Sequence, residues 1–185
     1  MRITLDTNLS DRETYLIGSI VSQWGFLEAD IFEQTLVAMS GNVEPFPPAM
    51  NNTNFGLVLP LWVKWVVEPR DDERRSVLMA QYASIIALNE FRQALVHSRW
   101  EWTPDKRDKI VAVRAKKKEL IRTIFTVDDL IDMASRIGEI RYLIRFPSSQ
   151  DRADEVADDR TRVSRKGWEM ILGPSSSADP NGGTL

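Results

Sequence analysis

The chain has 185 residues, 43% of them hydrophobic and 28% charged, which is material for one core plus a tail, and its net charge of −3 argues against indiscriminate coating of nucleic acid. It has no cysteine, which excludes disulfides and thiolate metal sites and makes a reducing cytoplasm the simplest location. Residues 1–11 hold no apolar run of signal-peptide type. The longest apolar stretch, 56–67, is broken by Pro60 and Lys64 and falls short of the roughly 20 residues a bilayer requires, so no membrane association is expected.

The first predicted helix starts at Ser10, where Ser10-x-x-Glu13 is a capping box, and runs to about Met39. Ile17, Val21, Trp24, Ile31 and Phe32 recur at helical spacing, and Glu28 falls in the middle of the same stripe. Residues 41–54 read as a linker, with Pro45, Pro47 and Pro48 followed by Asn51, Asn52 and Asn54. The apolar segment 55–67 predicts a short buried helix. A third helix is expected over 71–96, its acidic start (Asp71, Asp72, Glu73) suiting the helix dipole. Leu78, Tyr82, Ile85 and Val96 share one of its faces by angular count, together with the polar Asn89 and Arg92.

Thr103-Pro104-Asp105 marks a turn, and the β-branched and aromatic runs 110–113 and 120–125 predict a hairpin closed by Lys116-Lys117-Lys118, a turn with no Gly or Asn. Thr126 then caps a fourth helix, with Asp128 and Asp129 in its first turn and Asp132 on its solvated surface; Leu130, Ala134, Ile137 and Ile144 form its stripe and Pro147 stops it. From residue 148 periodic apolar residues vanish, which predicts a mostly disordered tail. Within it, 163–172 carries Trp168, Met170 and Ile171, a segment able to dock on the domain or on a partner. The expected architecture is a mainly α bundle of about four helices over 1–147, with a β-hairpin insert and a tail over 148–185.

Chemistry centres on the single histidine, His97, five residues after Arg92 in Arg92-Gln93-Ala94-Leu95-Val96-His97. An imidazole titrating near neutrality takes a proton from a ribose 2′-hydroxyl or gives one to the leaving oxygen. An arginine holds the phosphate and stabilises the added charge of the transition state, so this chemistry calls for no metal or cofactor. The plainer reading is that Arg92 pairs with a carboxylate and His97 is a polar residue where a helix leaves the core. A buried charge costs several kcal/mol unless paired, so Glu28 and Arg92 are expected to face each other, either as part of a site or as an ion pair fixing helix register.

Residues 99–122 hold nine basic residues against four acidic ones. Arg99, Trp100, Trp102, Lys106 and Arg107 directly follow His97, and basic groups interleaved with aromatics suit single-stranded RNA. Against this, Lys116 to Lys118 are expected on an exposed turn in any case, and tryptophans more often pack in a core than present a stacking platform. No Gly-rich phosphate loop occurs, and one histidine is too few for a histidine metal cluster.

The arrangement resembles the HEPN superfamily, helical domains with an Arg-x4-6-His motif closing a long helix. The likeness rests on Arg92-x4-His97, on the run Leu95-Val96-His97-Ser98-x-Trp100, and on Trp24-x-x-Leu27-Glu28 in the first helix; it covers residues 11–146 and leaves the tail unexplained. It implies a metal-independent endoribonuclease of toxin–antitoxin or phage-defence type, with Arg92 and His97 as the catalytic pair; Glu28, Asn89 and Gln93 are the supporting candidates beside them. It also implies a homodimer whose two motifs share a cleft, and an antitoxin or other protein partner. Active members usually carry Asn, Asp or His after the arginine, where this chain has Gln93. Other members are catalytically silent binding or assembly modules, and that alternative stands beside the first.

Transesterification of RNA uses both a base and an acid, while one chain supplies one histidine. A two-fold dimer supplies two. The products expected are a 2′,3′-cyclic phosphate and a 5′-hydroxyl.

Overall fold

Ser10 begins the first helix, α1 (Asp11–Met39), through a reciprocal cap: its Oγ accepts the Glu13 N–H at 3.2 Å, and the Glu13 carboxylate accepts the Ser10 N–H at 2.7 Å. The computed structural model describes residues 9–43, 45–51, 54–102, 109–116 and 118–157. Gly41, at φ 78°, follows the end of α1 in the left-handed conformation that glycine adopts at least cost. A single 3-10 turn (Pro48–Asn51) lies within the expected linker.

Asn54 caps α2 (Phe55–Trp62), accepting the Gly56 N–H at 3.1 Å. The chain continues without a break into a wider π-type turn (Val63–Val67), closed by the Glu68 N–H on the Val63 carbonyl at 2.9 Å. The apolar segment 55–67 is thus helical throughout and changes helical type after Trp62. Asp71 caps α3 (Asp72–Val96) by accepting the Arg74 N–H at 2.9 Å.

The β insert is larger than a hairpin. Strands β1 (Arg99–Glu101), β2 (Ile110–Lys116) and β3 (Glu119–Phe125) form an antiparallel sheet in the order β1-β2-β3. Arg99 pairs with Val113, and Ile110 with Phe125. Lys116 opposes Glu119, so the turn has two central residues, and Lys118 takes φ 70° without a glycine. β1 is three residues long, too short to leave an alternating pattern in the sequence.

Thr126 caps α4 (Val127–Arg145) as expected, and the cap is a second capping box, closed by Asp129. Hydrogen bonds from the Thr126 hydroxyl and then from its backbone N–H hold the Asp129 carboxyl below the ordinary value of 3.8.

The helices pack α1 against α4 and α2, and α3 against α4, with β2 lying on α3. Ile20, Trp24, Leu27 and Ile31 of α1 meet Leu78, Ile85, Leu88 and Leu95 of α3 and Leu130, Ile137 and Ile144 of α4 in one core, which Ile110, Ala112 and Phe125 of the sheet complete. Gln34 ties three helices together. Its Oε1 accepts from Trp62 Nε1 at 2.9 Å, and its Nε2 donates to the Ile144 carbonyl at 3.2 Å. The protein is therefore mainly helical with a small antiparallel sheet. Among the described residues no helix is long and apolar enough to cross a membrane.

The first residues of the tail expected to be mostly disordered are helical, as α5 (Ser149–Ala157). Residues 158–185, with the candidate docking segment 163–172, lie outside the described residues. The buried stripe of α3 runs through Leu78, Ile85, Leu88 and Leu95, so that Tyr82, Asn89, Arg92 and Val96 flank it half-buried rather than forming it.

Candidate functional site

The end of α3 presents the histidine to solvent. His97 is the C-cap, at φ −112° and ψ 16°, and its N–H donates to the Gln93 carbonyl at 3.1 Å; the side chain is exposed. Gln93 is half-buried, and this backbone contact is its link to His97. Trp100 closes the same helix end: its Nε1 donates to the Leu95 carbonyl at 3.0 Å, satisfying one of the terminal carbonyls that a helix leaves open.

Arg92 lies half-buried on the side of α3 that faces α1, with its guanidinium carbon 5.8 Å from the centre of the Trp24 ring. Trp24 is 1% exposed, and its Nε1 donates to Glu28 Oε1 at 2.7 Å. Glu28 and Arg92 thus both rest on Trp24, and no ion pair joins them; the expected pairing of the two charges is replaced by an indole between them. Angular spacing puts the two polar groups on adjoining faces, and the buried Trp24 engages each of them, Glu28 at its N–H and Arg92 over its ring.

Unsatisfied polar atoms gather around this helix end. Among the described residues, the buried side-chain nitrogens and oxygens lacking a hydrogen-bond partner are Arg92 Nε, Ser98 Oγ and Arg114 Nε. Such atoms are rare in folded proteins, and each calls for an explanation. Arg114, on β2, donates from its terminal nitrogen to Glu90 of α3 at 3.0 Å. Continuing the β1–β2 register one step beyond Arg99 and Val113 sets Ser98 opposite Arg114. In the sequence Arg114 is one of nine basic residues in a run and Ser98 a flank of the histidine. Their convergence depends on β1, which left no signal of its own.

The helical repeat also separates the pair that the sequence joined. His97 falls about 140° round the axis from Arg92 and about 20° from Glu90. A single chain therefore places Arg92 on the α1 side and His97 on the side of Glu90 and Arg114.

The remaining candidates divide. Asn89 is half-buried beside Arg92, and Arg99 is exposed and paired with Glu101 on its own strand. Trp100 packs against the core and Trp102 is half-buried. Lys106 and Arg107 lie outside the described residues. No group of three or more His, Cys, Asp or Glu side chains among the described residues is placed to hold a metal ion. Comparison with protein-family models, curated proteins and solved structures gives no match.

Proposed function

We propose that this protein is a HEPN-like, metal-independent endoribonuclease acting as a homodimer through Arg92 and His97, in a toxin–antitoxin or phage-defence setting. The observation that carries the reading is Arg92, whose Nε has no hydrogen-bond partner and which has no carboxylate partner among the described residues, on the last turns of the same helix that ends in an exposed histidine. An arginine kept for structure is normally paired with a carboxylate; a half-buried one without such a partner suits a phosphate.

In the reaction, the His97 imidazole takes the proton of the ribose 2′-hydroxyl as that oxygen attacks phosphorus. The bond from phosphorus to the 5′-oxygen breaks, and the second copy's imidazole supplies that oxygen with its proton. Arg92 neutralises the charge gathering on the phosphoryl oxygens. The angular separation of Arg92 and His97 within one chain makes the second copy a requirement of this mechanism, because each phosphate then meets groups from both chains.

Single-stranded RNA incubated with the protein in EDTA is expected to yield 2′,3′-cyclic phosphate ends. His97→Ala is expected to lose about 100-fold or more of the rate while keeping its fold, since the side chain is exposed. RNA left intact by the wild-type protein removes the nuclease reading, and a strict monomer on sizing removes the mechanism. Gln93 in place of the usual Asn, Asp or His favours a second reading, a silent HEPN-like assembly module. A folded dimer that leaves RNA intact supports that one.

A further inference from the structure

A cavity of about 390 Å³ opens between α1 and α2, on residues to which the nuclease reading gives no direct chemistry. It is lined by Glu28, Ala29, Phe32, Glu33, Phe55 and Val58. Its volume is in the range that takes a small organic molecule. Among the described residues the walls are apolar and aromatic except for two carboxylates, and no basic side chain lines it.

Those carboxylates are short of partners. Glu28 Oε1 accepts from Trp24 Nε1 at 2.7 Å, its other oxygen has no partner among the described residues, and Glu33 forms no hydrogen bond or ion pair there. The nearby cation, Arg92, sits on the Trp24 ring and does not reach Glu28 as an ion pair. Two of the walls are also fixed in advance by one buried residue. Trp24 meets Phe55 edge-on, with ring centroids 5.9 Å apart and an interplanar angle of 80°, and the same indole holds Glu28 through its N–H. A ligand entering here finds a rigid aromatic wall and an oriented carboxylate, so little ordering remains to be done on binding.

We infer that the cavity between α1 and α2 binds an amphipathic organic cation, an amine carried on an aromatic or aliphatic body. The body packs against Phe32, Phe55 and Val58, and the ammonium group takes the second oxygen of Glu28, with the exposed Glu33 carboxylate adding negative charge at the rim. The charge balance selects this class: a cation gains the attraction of the half-buried Glu28 and the exposed Glu33, a neutral ligand gains neither, and an anion meets both with like charge.

The test uses three probes with one indole body and different charges, tryptamine, tryptophol and indole-3-acetate, titrated into the full-length protein by calorimetry or by NMR. Tryptamine is expected to bind about ten-fold more tightly than tryptophol, with indole-3-acetate weakest. The double variant Glu28→Gln, Glu33→Gln is expected to lose that preference while still binding the indole body. Ala29→Trp, made at an exposed helical position, is expected to fill the mouth and abolish binding of all three probes with the circular dichroism spectrum unchanged. Equal affinities for tryptamine and tryptophol show an unselective apolar crevice and overturn the assignment, as does the absence of binding by every probe. Tryptamine binding that survives in Ala29→Trp places the amine elsewhere and overturns it too. None of these measurements involves RNA, so the result stands apart from the nuclease reading.

Discussion

Two acids on α1, two residues apart, meet arginines in opposite ways. Asp30 is 9% exposed and fully engaged: Arg141 Nε donates to one oxygen at 2.9 Å and Arg145 to the other at 2.5 Å, both from α4. Glu28, about 200° round the helix, looks toward α3 and α2, where its neighbour is an indole and the arginine beyond it keeps an unsatisfied nitrogen. The first arrangement is what a buried charge requires in order to be tolerated, and it serves to fix α1 on α4. The second leaves one buried arginine nitrogen and one carboxylate oxygen without partners, beside a cavity. The same pair of residue types therefore marks structure on one side of α1 and a candidate site on the other, and satisfaction of the hydrogen bonds separates the two.

The largest effect expected is at the satisfied pair. Asp30→Asn keeps the shape but removes the charge facing two arginines, and is expected to cost about 3 kcal/mol in denaturant unfolding, toward the lower end for a broken buried pair because Arg145 is 42% exposed. Glu28→Gln, which leaves an acceptor for Trp24 Nε1, is expected to cost less than about 1 kcal/mol. Equal losses at the two positions would erase the distinction between them.

An intermediate effect calibrates the scale at an acid with a local partner. Thr126→Ala removes the hydroxyl from the α4 cap and is expected to cost about 1 kcal/mol near neutral pH. Asp129 has a carboxyl pKa lowered in the folded state, first by the Thr126 side chain. A lowered folded pKa contributes stability that is present above the ordinary value of 3.8 and is lost as pH falls through the folded value. The gap between wild type and Thr126→Ala is therefore expected to narrow on going from pH 6 to the acid side of that window, as followed by thermal unfolding. A gap that widens in acid contradicts the assignment of the cap to an ionised Asp129.

Much of this contrast was half-legible in the sequence. The caps at Ser10 and Thr126 were readable because a capping box is local, and the helices they open appear where the patterns placed them. The stripe on α1 was read about 50° to one side. Val21, counted as core, is 44% exposed, and the buried set runs through Ile20, Trp24, Leu27 and Ile31. That rotation explains why Glu28 was singled out and Asp30 passed over: which flank of a stripe is buried depends on where the neighbouring helix lies, and α4 covers the Asp30 side. The arginines that satisfy Asp30 are more than a hundred residues away in the chain, beyond the reach of any periodicity. β1 and the placement of Ser98 beside Arg114 were hidden for a related reason, since a three-residue strand exists only through its pairing.

The smallest expected change in stability is at Arg92, and it is the sharpest test of the contrast. Arg92→Met keeps an unbranched apolar stem against Trp24 and removes the guanidinium. It gives up a cation–π contact worth about 0.5–1 kcal/mol but also removes a buried donor without a partner, whose burial costs about 1–3 kcal/mol. The two effects oppose each other, so the unfolding free energy is expected to stay within about 1 kcal/mol of the wild type. If Arg92 is kept for a phosphate, the same variant loses RNA cleavage while remaining folded. A drop in stability as large as that of Asp30→Asn would instead make Arg92 a structural residue like Arg141, and the two sides of α1 would then differ only in geometry. Cleavage that persists in a stable Arg92→Met protein would separate the guanidinium from the chemistry altogether, leaving its unsatisfied nitrogen as a cost of packing against Trp24.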